Sequence, residues 1–241
     1  VYSDYGWGYN HRDVTREVVE DAGGSIVNEV AVPFGTSDFS SQITQILNSD
    51  ADLAYLAVFD NDAINAVKQA HQAGVKDTDT DIAIPIHTVP QSRGLTQEAM
   101  ADVWGTLKYY YLFDNPNSIN FVNRFHAEYD RVPSSEATAG YKSAMEVLKA
   151  TERAESTDDR DVIAELEGAG GVYFKESEEY YRECDHQLIQ PDVVGRGYAQ
   201  NPDVTIDVPE VDFPLVETIA RYDDPDIVFR SCDSLPGSME F

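Results

Sequence analysis

Apolar runs alternate with helical patterns over the first ninety residues of the chain. This alternation is typical of βαβ units stacked around a parallel sheet. Residues 53–59 form a nearly continuous apolar run, which predicts a strand covered on both faces. The remaining predicted elements of this half are strands at 25–32, 82–86 and 106–113 and helices at 10–22, 39–47 and 62–73. Right-handed crossovers between these strands predict one parallel three-layer α/β sandwich lobe.

The pattern changes after Asn115. Apolar residues at helical spacing predict helices at 119–129, 137–154 and 161–167. Residues 172–194 alternate polar and apolar side chains, which indicates an antiparallel, hairpin-like excursion. The tail after Gly197 is predicted to be mostly loop, because long elements are interrupted at Pro202, Pro209, Pro214 and Pro225.

The charge changes the picture of the surface. The net charge is −27, from 44 Asp and Glu against 17 Lys and Arg, and the acids are spread over the whole chain. Such a surface repels itself at low ionic strength, whereas molar salt shortens the Debye length to about 3 Å. We therefore expect a halophilic protein, with an ordinary acidic protein as the alternative. Nucleic acid is excluded as a partner because basic residues are not clustered.

The chain contains no apolar run of membrane-spanning length and no signal-peptide pattern. It opens on Val1 as if at the end of a buried strand, so we expect an N-terminal part to precede it. Cys184 and Cys232 are the only cysteines. They form either a disulfide, if the protein is exported, or two free buried thiols. Zinc or another metal is not expected because no CxxC or HxxxH spacing is present.

The loop 4–9 is the first candidate ligand site, since ligands of open α/β sheets bind beyond the carboxyl ends of strands. The aromatic rings of Tyr5 and Trp7 would line a pocket, and Gly6 would let the backbone approach a ligand. Backbone amides at the helix start would meet a ligand carboxylate. The alternative is a hydrophobic staple over the helix.

Two further strand ends add candidates. Phe59 would supply an apolar wall, and Asp60 would accept hydrogen bonds from a ligand ammonium or amide, unless it caps the following helix. His87 and Thr88 follow the next strand. His87 would either bond to the ligand in the same cleft or pack as a neutral ring at its edge.

Catalysis is not expected. A hydrolase would pair His87 with Asp60 and a nucleophile, but no GxSxG or cysteine-centred motif accompanies them. The segment 185–187, Asp-His-Gln, has a catalytic interpretation and a simpler one, in which its polar side chains satisfy backbone groups at a turn. No catalytic residue and no cofactor are therefore assigned.

Several segments together resemble one family. They are Tyr5-Gly6-Trp7-Gly8, then Phe34-Gly35-Thr36-Ser37-Asp38-Phe39 before a helix, then a strand ending at Phe59 followed by Asp62-Ala63-Ile64, and Arg182 to Pro191. This set is similar to branched-chain amino acid type (Leu/Ile/Val-binding-like) solute-binding proteins of ABC transporters. The resemblance extends to about residue 200, and the GTSDF-type segment is its most specific part.

The resemblance implies a type I periplasmic-binding-protein fold, in which two α/β lobes close on a ligand. Residues 1–114 would be most of the second lobe, which binds ligand. Residues 115–241 would return to the first lobe and end in an irregular tail. By position, Tyr5 matches the family's aromatic contact with the ligand. The Phe59–Asp60 loop matches the family's second contact with the ligand. His87 falls near an acid that holds the ligand ammonium in some members.

The implied function is capture of a small polar solute, such as an amino acid, an amide or a urea-like molecule, by hinge closure. The implied partner is the membrane permease of an ABC importer. We expect a monomer outside the cell, anchored to the membrane through the N-terminal part. The alternatives are the sensing domain of a receptor and, third, a hydrolase.

Overall fold

The computed structural model of the chain describes residues 1–175, 178–224 and 231–234. The helices are α1 (Gly6–Asp21), α2 (Ser40–Leu47), α3 (Asn61–Gln72), α4 (Val89–Gly94), α5 (Gln97–Met100), α6 (Pro116–Tyr129), α7 (Ser135–Ala154) and α8 (Asp159–Leu166). The strands are β1 (Tyr2–Ser3), β2 (Ala31–Val32), β3 (Leu53–Tyr55), β4 (Asp81–Ile86), β5 (Trp104–Thr106), β6 (Gly170–Val172), β7 (Glu178–Tyr181), β8 (Leu188–Ile189), β9 (Asp192–Gly197) and β10 (Val216–Tyr222).

The described chain forms two compact units. The first contains residues 1–107, 194–203 and 212–219, and the second contains residues 108–193, 204–211 and those described from 220 onward.

The first unit is built on a mostly parallel sheet, as the alternating pattern predicts. Strands β1 and β2 pair in parallel, and a second sheet has the order β10-β9-β5-β4-β3. A single parallel bridge between Tyr2 and Ala57 joins the two. The parallel strands therefore follow the order β2-β1-β3-β4-β5, and β9 pairs with β5 in the antiparallel direction. This sheet confirms the predicted α/β class.

Helices cover this sheet through apolar faces. Helix α3 contacts α2, α4 and α5, whereas α1 packs on β1. Because right-handed crossovers that reverse direction at β1 place α1 on the opposite face from α2 and α3, the unit has three layers. Val58, Val67 and Leu56 are almost completely buried in its core. Burial of each such side chain stabilises the folded state by roughly 1.5–3 kcal/mol relative to leaving it exposed.

The second unit combines helices with an antiparallel sheet. Helix α7 packs against α8, and the small sheet has the order β6-β7-β8. This confirms the hairpin-like excursion predicted for 172–194. A buried ion pair joins Lys142 of α7 to Glu179 of β7. Within the described residues, no helix is long and apolar enough to cross a membrane.

Three predicted elements differ from the structure. The strand expected at 106–113 is wrong, because β5 ends at Thr106 and the tyrosines 109–111 are buried in irregular chain. The strand expected at 25–32 is reduced to Ala31–Val32. The predicted loop after Gly197 contains β10, a seven-residue strand beside β9. Residues 225–230 and 235–241 of that tail lie outside the described residues.

Candidate ligand-binding site

The strand order of the first unit defines a crevice. The chain passes from β1 outward to β2 and then returns to the other side of β1 to form β3. In open parallel sheets, the crevice beyond the carboxyl ends of strands at such a reversal is where ligands bind. The loops at this place are those after β1, which carries Tyr5, and after β3, which carries Phe59 and Asp60.

Helix α1 begins directly at this crevice. Tyr5 is its N-cap residue, and the Tyr5 side chain supplies no capping acceptor. The first turn contains no acidic residue, so its backbone amides keep their partial positive charge. Gly8 lets the helix lie on β1, since a Cβ at this position would come 1.9 Å from the Ser3 carbonyl oxygen. Gly8 therefore serves packing, while the same construction at Gly6 meets open space.

Four aromatic rings line the crevice, and we call Tyr5, Trp7, Phe34 and Phe59 the aromatic wall. The rings of Tyr5 and Trp7 are nearly parallel, with centroids 6.0 Å apart and an interplanar angle of 17°. Phe59 meets Trp7 edge-on at 6.0 Å, and Phe34 meets Tyr5 edge-on at 5.8 Å. Phe34 is 69% exposed and Tyr5 is 38% exposed. The structure thus brings Tyr5, Trp7 and Phe59 together, and it adds Phe34.

The loop that carries Phe34 is held by helix α3. The buried carboxylate of Asp62 accepts a hydrogen bond from the Gly35 amide at 2.8 Å. The amide group of Gln69 receives the Phe39 N–H at 2.8 Å and donates to the Ser37 carbonyl oxygen at 2.8 Å. These bonds hold the GTSDF-type segment against helix α3, which carries Asp62 and Gln69.

Trp7 packs against His11, which in turn contacts Tyr55, and the sequence singled out neither of these two residues. The His11 ring lies 4.2 Å from the Trp7 ring, one helical turn away on α1. The Nδ1 atom of His11 is 2.8 Å from the hydroxyl oxygen of Tyr55, at the end of β3. Burial raises the pKa of Tyr55 to about 12. The only sequence signal for this contact was the spacing of Trp7 and His11 on one helix. Their link to Tyr55 depends on the tertiary fold.

Asp60 adopts an unusual backbone conformation at the edge of the wall. Its φ of 52° and ψ of −123° lie in a region that favours glycine. It is the N-cap residue of α3, yet its side chain makes no capping hydrogen bond. The capping alternative is therefore not realised, and the exposed carboxylate is available to other groups.

His87 lies inside the first unit and not beside the wall. Its ring is 2% exposed, and Nε2 is 3.0 Å from the Val103 carbonyl oxygen. Burial lowers the pKa of His87 to about 4, so the ring is neutral at pH 7. Gly105 makes room for it, because a Cβ there would lie 2.8 Å from the His87 Cδ2 atom. In this conformation, His87 is packed as a neutral core residue.

Thr88 has a local structural role. Its hydroxyl oxygen accepts a hydrogen bond from the Gln91 amide, and the Gln91 side chain accepts one from the Thr88 amide. This reciprocal capping box begins helix α4. The structure therefore does not bring His87 or Thr88 into the aromatic wall.

The segment 185–187 forms the turn between β7 and β8. Asp185 pairs with Arg182 and accepts the Gln187 amide at 3.1 Å. His186 has a positive φ of 56° and lies 2.9 Å from a Glu167 oxygen. These contacts agree with the simpler interpretation of a turn. Cys184 and Cys232 form a disulfide. Among the described residues, no group of three or more His, Cys, Asp or Glu is arranged to hold a metal ion.

Two larger cavities lie elsewhere. One, of about 420 Å³, borders the second half of α1 and the segment 23–29. The other, of about 390 Å³, lies in the second unit between α6, α7 and the segment 170–174. Neither contains a wall residue. The candidate site is instead an open surface, at which the Phe34 and Tyr5 side chains are exposed.

Comparison with known proteins places this geometry in context. A family model described as Periplasmic binding protein matches residues 1–198. The chain is also similar to the Leu/Ile/Val-binding protein homolog 8 of Brucella abortus, with 22% identity over 177 residues. That match covers 68% of this chain and 42% of the relative, so the chain spans less than half the length of this relative.

Solved structures show the same fold. A periplasmic binding protein from Burkholderia mallei has a TM-score of 0.79 and 26% identity, covering 92% of this chain and 56% of that one. An amino acid ABC transporter substrate-binding protein from Pseudomonas fluorescens has a TM-score of 0.83 and 19% identity. It covers 97% of this chain and 60% of that one.

Proposed function

Because the chain belongs to the periplasmic binding protein family, we propose that it captures a small polar solute for an ABC importer and catalyses no reaction on it. The solute would be an amino acid, an amide or a urea-like molecule. The observation that carries this proposal is the exposed aromatic wall at the reversal of strand order, where Tyr5, Trp7 and Phe59 converge.

The wall suits a small solute with a polar end and an apolar body. A ligand that covers the exposed rings removes their apolar surface from water, which favours binding. The uncapped amides of α1 offer donors to a ligand oxygen, and the carboxylate of Asp60 offers an acceptor. A few polar groups on a largely apolar surface are typical of small-molecule sites.

The remaining parts of the proposal concern the whole protein. A hinge movement would close a second lobe over the wall, and a membrane permease would recognise the closed form. The protein would act outside the cytoplasmic membrane as a monomer. Anchorage to that membrane stays a prediction.

Two alternatives were expected from the sequence. A receptor sensing domain would bind solute in the same way and would differ in what receives the signal. A hydrolase would need His87 as a base, but the His87 ring is buried and bonded to the Val103 carbonyl oxygen. This position gives the hydrolase no support.

Calorimetry in high salt tests the proposal. A solute identified by native mass spectrometry of the purified intact protein is titrated into the parent, Tyr5→Ala and Asp60→Ala proteins. We expect both variants to bind the solute about five- to thirty-fold more weakly while unfolding at a similar temperature. Tyr129→Ala is the matched control, because Tyr129 is an exposed aromatic residue of the second unit. Equal affinity in all four proteins would contradict the site.

A further inference from the structure

The loops around the aromatic wall carry negative charge and no basic side chain. The segments 4–9, 33–39 and 59–62 contain four Asp residues and no Lys or Arg. Of these acids, Asp62 is buried on the Gly35 amide, and Asp4 accepts a hydrogen bond from the Tyr9 hydroxyl. In the described part of the chain, the Asp60 carboxylate has neither a hydrogen bond nor an ion pair.

Helix termini do not reverse this charge. Helices α1 and α3 both begin at the crevice, and each N-terminus is equivalent to roughly half a positive charge. Together they offset about one carboxylate. The same loops contain four Asp residues, so the charge balance within these loops remains negative.

The rings of the aromatic wall differ from other aromatic rings of the described chain in their contacts with Lys and Arg. Elsewhere in the described residues, Arg12 lies over Tyr2 and Tyr9, and Arg196 lies over Trp104. No described Lys or Arg lies over a wall ring. Exposed ring faces beside a carboxylate form the environment that attracts an ammonium group, since the ring quadrupole and the carboxylate act in the same direction.

Asp60 differs from an ordinary surface acid in its backbone conformation. Its backbone conformation, with φ 52° and ψ −123°, is one that non-glycine residues rarely adopt, so it costs conformational energy. Its carboxylate does not offset this cost by capping α3. Solubility alone would be served by an acid at any exposed, unstrained position. The strained backbone therefore marks Asp60 as a constrained position at the edge of the wall.

From these observations we propose that the wall selects an organic cation, in which an alkylated ammonium group lies against the aromatic rings and is neutralised by Asp60. This inference rests on the proposed solute-binding function and narrows the class of its ligand to cations, which excludes neutral amides and urea-like molecules. A solute that presents a carboxylate or a neutral alkyl group to the wall is disfavoured. Any oxygen acceptor of the ligand would take the free amides of α1.

A matched pair of probes isolates the charge. Choline and 3,3-dimethyl-1-butanol have nearly the same shape, and only choline carries a positive charge. Both are titrated into the intact protein at one fixed high concentration of sodium chloride, by calorimetry and by tryptophan fluorescence. We expect the affinity for choline to be at least about ten-fold higher than the affinity for the alcohol.

Variants assign the effect to the wall. Asp60→Asn removes the charge and keeps a side chain that tolerates the turn, so it should reduce the preference for choline to about three-fold or less. Phe34→Leu keeps apolar contact but removes a ring face, so it should weaken choline binding more than alcohol binding. Asp130→Asn is the matched control at an exposed acid of the second unit.

The outcomes separate this inference from the proposed function. Equal binding of choline and the alcohol, together with a loss of solute binding in Tyr5→Ala, overturns the charge selection and leaves solute capture standing. A preference for choline that Asp60→Asn does not change also overturns the proposal. If Tyr5→Ala changes the binding of no probe or co-purified solute, both the inference and the proposed function fail.

Discussion

The carboxylate of Asp62, in the first turn of α3, accepts a hydrogen bond from the backbone amide of Gly35 at 2.8 Å. This contact fixes the loop after β2 against the helix after β3, and so it sets the position of Phe34 in the aromatic wall. Asp62 is 5% exposed, so the bond is shielded from water.

Asp62→Ala should therefore act on both stability and binding. Loss of a buried, charge-assisted acceptor leaves the Gly35 amide without its partner, which costs about 1–3 kcal/mol in the free energy of unfolding. Solute affinity should fall because Phe34 loses its fixed position. Asp77→Ala is a control at a surface acid of the same unit. Urea denaturation measures the effect on stability, and calorimetry measures the effect on affinity. An unchanged denaturation midpoint would show that the contact does not stabilise the fold.

Asp60→Gly should raise stability and lower affinity. Glycine adopts the φ of 52° and ψ of −123° without strain, so unfolding should become about 1 kcal/mol less favourable even after the entropy cost of glycine. The same change deletes the carboxylate that meets the ligand. Thermal denaturation and calorimetry on one sample give both values.

Asp130→Gly is the control for this pair of effects. Asp130 also has a positive φ, of 51°, at the end of α6. This variant should raise stability without any change in solute affinity. If Asp60→Gly left affinity at the parent value, the strained aspartate would have no role in binding.

The aromatic wall was predictable in part. Parallel strands end at one edge of a sheet, so Tyr5 and Phe59 were expected to converge from the run pattern alone. His87 does not lie beside them in this conformation, and its role in ligand binding stays a prediction. The register of β4 against β5 shifts between Ala83 and Ile86. A shift of this kind changes which face a side chain occupies, and a sequence pattern does not reveal it.

Other differences have equally specific causes. The tyrosines 109–111 form an apolar run that resembles a strand, but they are buried by packing in the second unit. Strand β10 was missed because prolines occur on both sides of it in the sequence. Pro214 lies outside the strand, two residues before its first residue, Val216. The backbone strain at Asp60 and the contact of His11 with Tyr55 depend on tertiary structure, so no sequence pattern announces them.

His87 should make stability depend on pH. Its pKa is about 4 in the folded protein, below the ordinary value of 6.5, because burial disfavours the charged ring. The unfolded chain therefore binds a proton between pH 6.5 and 4 that the folded chain does not. This contribution to stability is complete above pH 6.5 and is lost as the pH falls through that range, amounting to about 3 kcal/mol.

The variant His87→Gln tests this dependence. Glutamine keeps a donor for the Val103 carbonyl oxygen and does not titrate, so the free energy of unfolding should fall less steeply between pH 6.5 and 4. Parallel curves for the parent and His87→Gln proteins would mean that His87 titrates alike in both states. Comparing variants cancels the titration of the many carboxylates.

The disulfide should contribute to the stability of the second unit. It closes a loop of 48 residues between Cys184 and Cys232, so reduction should lower the free energy of unfolding by about 2–4 kcal/mol. Denaturant unfolding with and without a phosphine reductant measures the loss. The double variant Cys184→Ser/Cys232→Ser should be insensitive to the reductant. Two thiols that react rapidly in the native, unreduced protein would contradict the bond.

The net charge of −27 should make the fold dependent on salt. Repulsion among 44 acids opposes the compact state, and chloride salts screen it as the Debye length falls from about 10 Å at 0.1 M to about 3 Å at 1 M. We therefore expect the unfolding temperature to rise over this range, steeply at first and then less. Sucrose is the control, because it favours compact states without screening charge. Equal unfolding temperatures at both salt concentrations would show that the acids are too dispersed to act on folding, and would remove the reason to regard the chain as salt-adapted.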